Sequence, residues 1–380
     1  MLKKEPVPYK RLDSLDALRG FSMFWITGGA ALVVALNEFI GDNRLEGLVE
    51  QMRHAPWEGF RFFDLIFPLF MFITGVTIPI TVKLKLAKGE DKWPLFLKSF
   101  KRMLILIILG LFYNGVFRDG FTNTRYASVL GQIGIACFLS SLVVIYSRSF
   151  KTIIIWTIII LTGVATLQLF IRLPGVGAGV LTPEGCINGF IDRLFLPGKL
   201  AYGIEGKRVT HGGIFDALGW LCIISATGIT LMGAIAGYIL LSKNMAGYRQ
   251  TRILVATGIL LITFALLFSP YYPVIKKCWT STYNLLAGGI CFLLLAMSYL
   301  IIDIWHFRKW CLYFRVIGLN SIFAYLFVRI IPVNKVTGYF FGWVAKLSGS
   351  IDQLVISVGY ILVVWSLLIF LYKKRIFIKV

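Results

Sequence analysis

The stretch from residue 152 to 172, TIIIWTIIILTGVATLQLFIR, carries no charge until its last residue, Arg172. Its Ile and Thr favour strands, but strands in globular proteins rarely exceed about 10 residues. At 1.5 Å per residue, a helix of this length crosses a hydrocarbon core of about 30 Å. In lipid, a spanning segment must satisfy its own backbone hydrogen bonds, which a helix does. The stretch therefore predicts a membrane-spanning helix. Apolar runs of similar length recur on both sides of it, at about 16–36, 60–82, 99–117, 128–147, 218–241, 252–269, 283–302, 311–331 and 352–372. The expected fold is all-α: a polytopic membrane helix bundle of about ten transmembrane helices, read as a single domain over 1–380.

Composition agrees. Of 380 residues, 58% are hydrophobic and only 15% charged, and the mean hydropathy is +0.79. Soluble domains average about 25% charged residues. The net charge of +21 would suggest nucleic acid for a soluble protein, but here Lys and Arg cluster in short loops between apolar runs. That pattern is the orientation bias of a membrane protein, with attraction to anionic lipid, and it argues against nucleic-acid binding. One side collects Lys3, Lys4, Lys10 and Arg11, the loop from Lys83 to Arg102, Arg148, Lys151, Lys243, Arg249, Arg252, Arg308, Lys309 and the tail Lys373, Lys374, Arg375 and Lys379. The other side has fewer, spread over longer loops. Both termini are therefore expected in the cytoplasm, with no cleaved leader.

Two segments interrupt the pattern. Residues 37–59 form an outer loop carrying His54. Residues 173–217 are rich in Gly and Pro and read as a non-cytoplasmic cap, with a short amphipathic helix around Ile187–Leu196. No internal repeat points to the inverted halves of a transporter. The six cysteines lack CxxC spacing, which leaves no metal site, while a Cys186–Cys278 bridge is left open.

Polar groups in or beside spans are functional candidates. Of the histidines, His306 reads as an interfacial residue and His211 as loop. His54 precedes Pro56, which the sequence places at the first turn of the second span. An imidazole at such a mouth can serve as base, acid or acyl carrier. Asp64 follows, and by this placement would sit 12–15 Å along the helix, so that pairing with His54 needs a folded-back loop. A neighbouring arginine is the alternative partner. Asp16 and Arg19 share a helix face and either pair or serve the site. Asn114, Gln132, Asn320 and Tyr325 are inward-facing candidates. Lys98, Lys101 and Arg102 could hold the phosphates of an anionic cofactor or simply anchor the cytoplasmic end, and Arg125 stands with Gln132 at the start of the fourth span.

These elements converge. SLDALRGFSMFWITGG (14–29), HAPWEGFRFFDLIFPLFMFITG (54–75), KRMLILIILGLFYNG (101–115) and RYASVLGQIG (125–134), followed by FDALGWLCIISATGITLMGAIAGYIL (215–240), KKCWTSTYNLLAGG (276–289) and FRVIGLNSIFAYLF (314–327), resemble the transmembrane acyltransferases related to heparan-α-glucosaminide N-acetyltransferase. The likeness is to shorter, bacterial-type members. It implies transfer of an acetyl group from acetyl-CoA to an amino sugar on the non-cytoplasmic side of the bacterial cytoplasmic (inner) membrane, with His54 as active-site histidine and Asp64 as its acidic partner. It also suggests a homodimer. The family pattern has Asn before Gly-Gly in the first span, whereas this chain has Thr27 before Gly28 and Gly29, which puts that role in doubt.

The mechanism expected is acetyl-CoA held at Lys98, Lys101 and Arg102, or at Arg125 and Gln132, with His54 as base or acyl carrier. Thr27, Gly28 and Gly29 are candidate oxyanion donors. Trp57, Glu58, Asp16, Arg19, Trp279 and Asn320 are the candidate saccharide contacts. No metal is called for. The rival readings are a saccharide transporter without covalent chemistry, and an acyltransferase acting on a lipid-linked or cell-wall saccharide.

Overall fold

A computed structural model describes residues 12–41, 44–147, 149–242 and 247–378. The basic N-terminal residues up to Arg11, with Arg148, Lys243 and Lys379, lie outside them. Regular structure among the described residues is helical. Eight helices are long and apolar enough to cross a membrane: Asp13–Ile40, Phe62–Ala87, Val129–Tyr146, Phe150–Phe170, Trp220–Leu240, Gly247–Phe268, Ser281–Ile304 and Gly349–Lys373. The count becomes nine with the pair Leu312–Leu319 and Ser321–Ile330, bent by 74°.

The expected third span is also helical, over Lys92–Tyr113. It falls outside that set because Lys98, Lys101 and Arg102 lie in every bilayer-length stretch of it. It stops before 117: Gly115 adopts a left-handed φ of 86°, and a short helix, Val116–Asn123, turns away. Two further features were not legible in the hydropathy. The 311–331 run breaks at Asn320, and a 15-residue helix, Val333–Leu347, precedes the last span.

The chain forms two compact units. The first contains Pro56–Phe60 and Met71–Met297. Its central helix, Trp220–Leu240, is buried along most of its length. Gly233-Ala-Ile-Ala-Gly237 faces helix Phe62–Ala87 so closely that a side chain at Gly233 would strike the Phe72 carbonyl and one at Gly237 the Val76 carbonyl. Small residues at four-residue spacing permit this backbone approach in lipid, where dispersion replaces the hydrophobic effect as the adhesive. Segment 173–217 is folded, as its glycine-rich sequence does not advertise. The expected short helix is present as Ile187–Phe195, and isolated bridges join Tyr202 to Arg208 and Phe215, and Arg125 to Gly198.

The second unit contains Leu12–Ala55, Arg61–Phe70 and Ser298–Val380. Helix Asp13–Phe24 crosses helix Leu312–Leu319 at Gly20 and Gly318. A π-helical break at Trp25–Gly29 follows, with non-helical angles at Thr27 and Gly28. Gly28 has φ 142°, and a Cβ there would lie 2.8 Å from Ile361 Cγ1, so glycine alone fits.

Candidate active site

Helix Phe62–Ala87 starts at Phe62, six residues later than the Pro56 start expected from the sequence. Asp64 is therefore its third residue, and the 12–15 Å separation from the histidine does not arise. The chain from Arg53 to Arg61 doubles back over the helix start. Asp64 Oδ2 accepts the backbone N–H groups of Ala55 at 3.2 Å and Arg61 at 3.1 Å. A carboxylate at the third helical position returning to the backbone before the first turn is half of a capping box, and the helix N-terminus favours its negative charge. Gln51 Oε1 takes the Phe62 N–H at 2.8 Å. Arg61 Nη1 donates to the His54 carbonyl at 3.3 Å, and its Nη2 reaches Glu50 at 3.5 Å. The loop is held from both ends.

This local fold brings His54 Nδ1 to 2.8 Å from Asp64 Oδ1. The Asp64 side chain is 0% exposed and that of His54 is 50% exposed. The ring also lies 5.0 Å from that of Phe63. A buried carboxylate fixes the tautomer in which Nδ1 carries the hydrogen and Nε2 the lone pair. The result is a base whose orientation is set from behind and whose ring is half exposed. Arg61, Gln51 and Phe63 escaped the sequence reading. The signal for Arg61 and Asp64 was there, since an acidic residue three positions into a helix marks its N-terminus, but Pro56 was the more familiar start signal.

Other candidates in this unit have structural partners. Asp16 and Arg19 pair at 3.6 Å. Asn320 binds the tail, donating to Ile376 O at 3.1 Å and accepting from Ile378 N at 2.9 Å. The Thr27 hydroxyl donates to Met23 O at 2.8 Å. Trp25 in the same break packs edge-on against Phe62, with centroids 5.0 Å apart.

In the first unit, Arg125 grips Asp216 through two bonds, Nε at 2.6 Å and Nη2 at 2.5 Å. Its guanidinium is thus committed to a buried carboxylate, which weighs against a phosphate. Gln132 donates to Cys222 O at 3.1 Å, while its buried Oε1 has no hydrogen-bond partner among the described residues. Arg102 presents a buried Nε, likewise without one, and Lys98 and Lys101 beside it are exposed. Asn114 secures the chain before the fourth span by donating to Arg125 O and Ala127 O.

Trp57 donates Nε1 to Leu181 O at 2.8 Å, and Glu58 is exposed. Trp279 is 1% exposed and packs edge-on against Tyr283. Its ring is closed off, so neither saccharide stacking nor membrane anchoring fits it. The sequence reading overlooked Lys277, whose Nζ donates to Pro56 O at 2.6 Å and Gly206 O at 2.8 Å. It also overlooked Asp192, which accepts the N–H groups of Asp216 at 3.0 Å and Trp220 at 3.1 Å. Burial pushes the Asp192 carboxyl up to about 7, with Asp216 adding to the shift and the two backbone donors and Arg193 opposing it.

A family model described as a domain of unknown function (DUF5009) matches residues 11–172. The chain is 26% identical to heparan-alpha-glucosaminide N-acetyltransferase of Mus musculus, an alignment covering 98% of this chain and 62% of that protein. It is 25% identical to the Homo sapiens protein of the same name, over 97% and 60%. The relationship is distant but runs along nearly the whole chain, and the chain spans about three-fifths of the length of these relatives.

Proposed function

We propose that this distant relative of heparan-alpha-glucosaminide N-acetyltransferases is a membrane-embedded acetyltransferase that moves an acetyl group from acetyl-CoA to an amino sugar or related saccharide, with His54 as its base and Asp64 as the residue that orients it. The observation that carries the reading is the 2.8 Å contact between Nδ1 of a half-exposed histidine and a carboxylate with no exposed surface. A structural histidine needs neither feature in combination.

In this reading the chemistry runs through one ring. His54 Nε2 accepts a proton as the acceptor amine or hydroxyl attacks the thioester carbonyl. The tetrahedral intermediate then expels the CoA thiolate, which takes that proton back from the imidazolium. Asp64 stabilises the imidazolium between the two steps and holds the ring in its tautomer, the role an aspartate plays behind a catalytic histidine. In the two-step variant Nε2 itself carries the acetyl group before the acceptor takes it. The opened backbone at Thr27 and Gly28 supports a donor role toward the oxyanion. Lys98, Lys101 and Arg102 would hold the CoA phosphates, a role favoured over Arg125 because Arg125 is already paired.

The domain is proposed to span 1–380, in a bacterial cytoplasmic membrane with both termini cytoplasmic and segment 173–217 on the other face. A homodimer belongs to the same proposal. The test is purified protein with labelled acetyl-CoA and a panel of glucosamine-containing acceptors. Product should form with wild type and fall at least 100-fold in His54→Ala. Transfer that survives in His54→Ala would overturn the mechanism. Saccharide flux in vesicles lacking CoA, unaffected by that substitution, would favour a transporter.

A further inference from the structure

Cys186 and Cys278 are free thiols with no exposed surface. They come from two different segments, the turn before helix Ile187–Phe195 and the loop before helix Ser281–Ser298. Both belong to one buried cluster with Ile275, against which Trp57 and Leu181 pack. The surrounding framework is hydrogen-bonded. The Cys278 carbonyl accepts from Gln168 at 2.9 Å and Asn188 at 3.1 Å, and Cys186 Sγ points toward Pro183 O at 3.7 Å. Lys277, the residue before Cys278, clamps the Pro56 and Gly206 carbonyls.

We propose that Cys186 and Cys278 close a disulfide that staples segment 173–217 to the 269–280 loop. The proposal rests on the orientation argued from the basic loops, which puts both segments on the face exposed to an oxidising compartment, and not on acetyl transfer. During folding, before burial, one thiol of the pair attacks an external protein disulfide and releases one thiol, giving a mixed disulfide. The other thiol then displaces the second sulfur. Two thiols lose two protons and two electrons, and the external disulfide is reduced to two thiols. The bond would fix the loop whose Lys277 holds the chain two residues beyond His54.

The experiment takes full-length protein from membranes, quenched in acid, denatured, and alkylated without reductant. It is then reduced and alkylated with a heavier reagent before peptide mass spectrometry. The expected result is heavy label on Cys186 and Cys278 alone, with one linked peptide pair before reduction. Light label on both, or linkage of either to another cysteine, overturns the proposal. A second measurement guards against incidental oxidation. Reductant should lower the Tm of wild type by about 5–10 °C and leave a Cys186→Ala/Cys278→Ala variant unmoved. An equal shift in both would count against the staple.

Discussion

At the scale of single residues, the chemistry depends on what Asp64 does for His54. Asp64→Asn keeps shape and one acceptor but presents an amide where Nδ1–H needs an oxygen, and it cannot stabilise an imidazolium. Turnover should fall by about 100-fold to 10,000-fold, with KM little changed, because the lost interaction strengthens only as the ring gains its proton. Steady-state kinetics separates the two parameters, and a pure KM effect would remove Asp64 from the mechanism. Asp192 gives a second residue-scale prediction. Folded, it keeps its proton up to about pH 7, against an ordinary value of 3.8. Between those limits the native state binds more protons than the unfolded chain, so its contribution to stability falls as pH rises. It is whole below pH 3.8 and gone above pH 7, a swing of at most about 4 kcal/mol. Thermal melts across pH 4–8 should show a downward slope that flattens in Asp192→Asn. Parallel slopes would sink the assignment.

At the scale of elements, helix ends and breaks decide the chemistry. The second span could be read from hydropathy, but its first residue could not, because Pro56 and Phe62 both satisfy local rules and the folded-back loop chooses between them. Arg125 shows the same limit. In sequence it is a stray basic residue before a span. In the fold it neutralises Asp216, whose side chain is 0% exposed while that of Arg125 is 19% exposed. Arg125→Ala strands a buried carboxylate and should cost about 3–5 kcal/mol, read from denaturation in detergent. Arg125→Lys should recover little of this, because an ammonium cannot reproduce the two parallel bonds. Full recovery with Lys would show that charge alone matters there. The break at Thr27 and Gly28 was visible only as a Gly-Gly pair. Gly28 there has a positive φ and packs against the last span with no room for a Cβ.

At the scale of the whole molecule, orientation is the claim most exposed to test. Both termini are predicted on the cytoplasmic side. A fluorescent protein fused after Val380 should fold and glow in cells, and a cysteine placed at His211 should react with a membrane-impermeant maleimide from outside. The reverse pattern at both positions would invert every assignment of side. What the sequence settled by itself was the solvent of this protein and hence its fold class: blocks of uncharged residues as long as a bilayer is thick can satisfy their backbones only as helices, whatever their neighbours. Hydropathy averages over such blocks and is blind to single contacts. Only the tertiary structure decided that His54 meets Asp64, that Arg125 is already taken, and that Trp279 is sealed from any saccharide. Each of those depends on side chains meeting across a turn or from distant segments, and the angular course of a loop is set by packing and capping bonds rather than by composition.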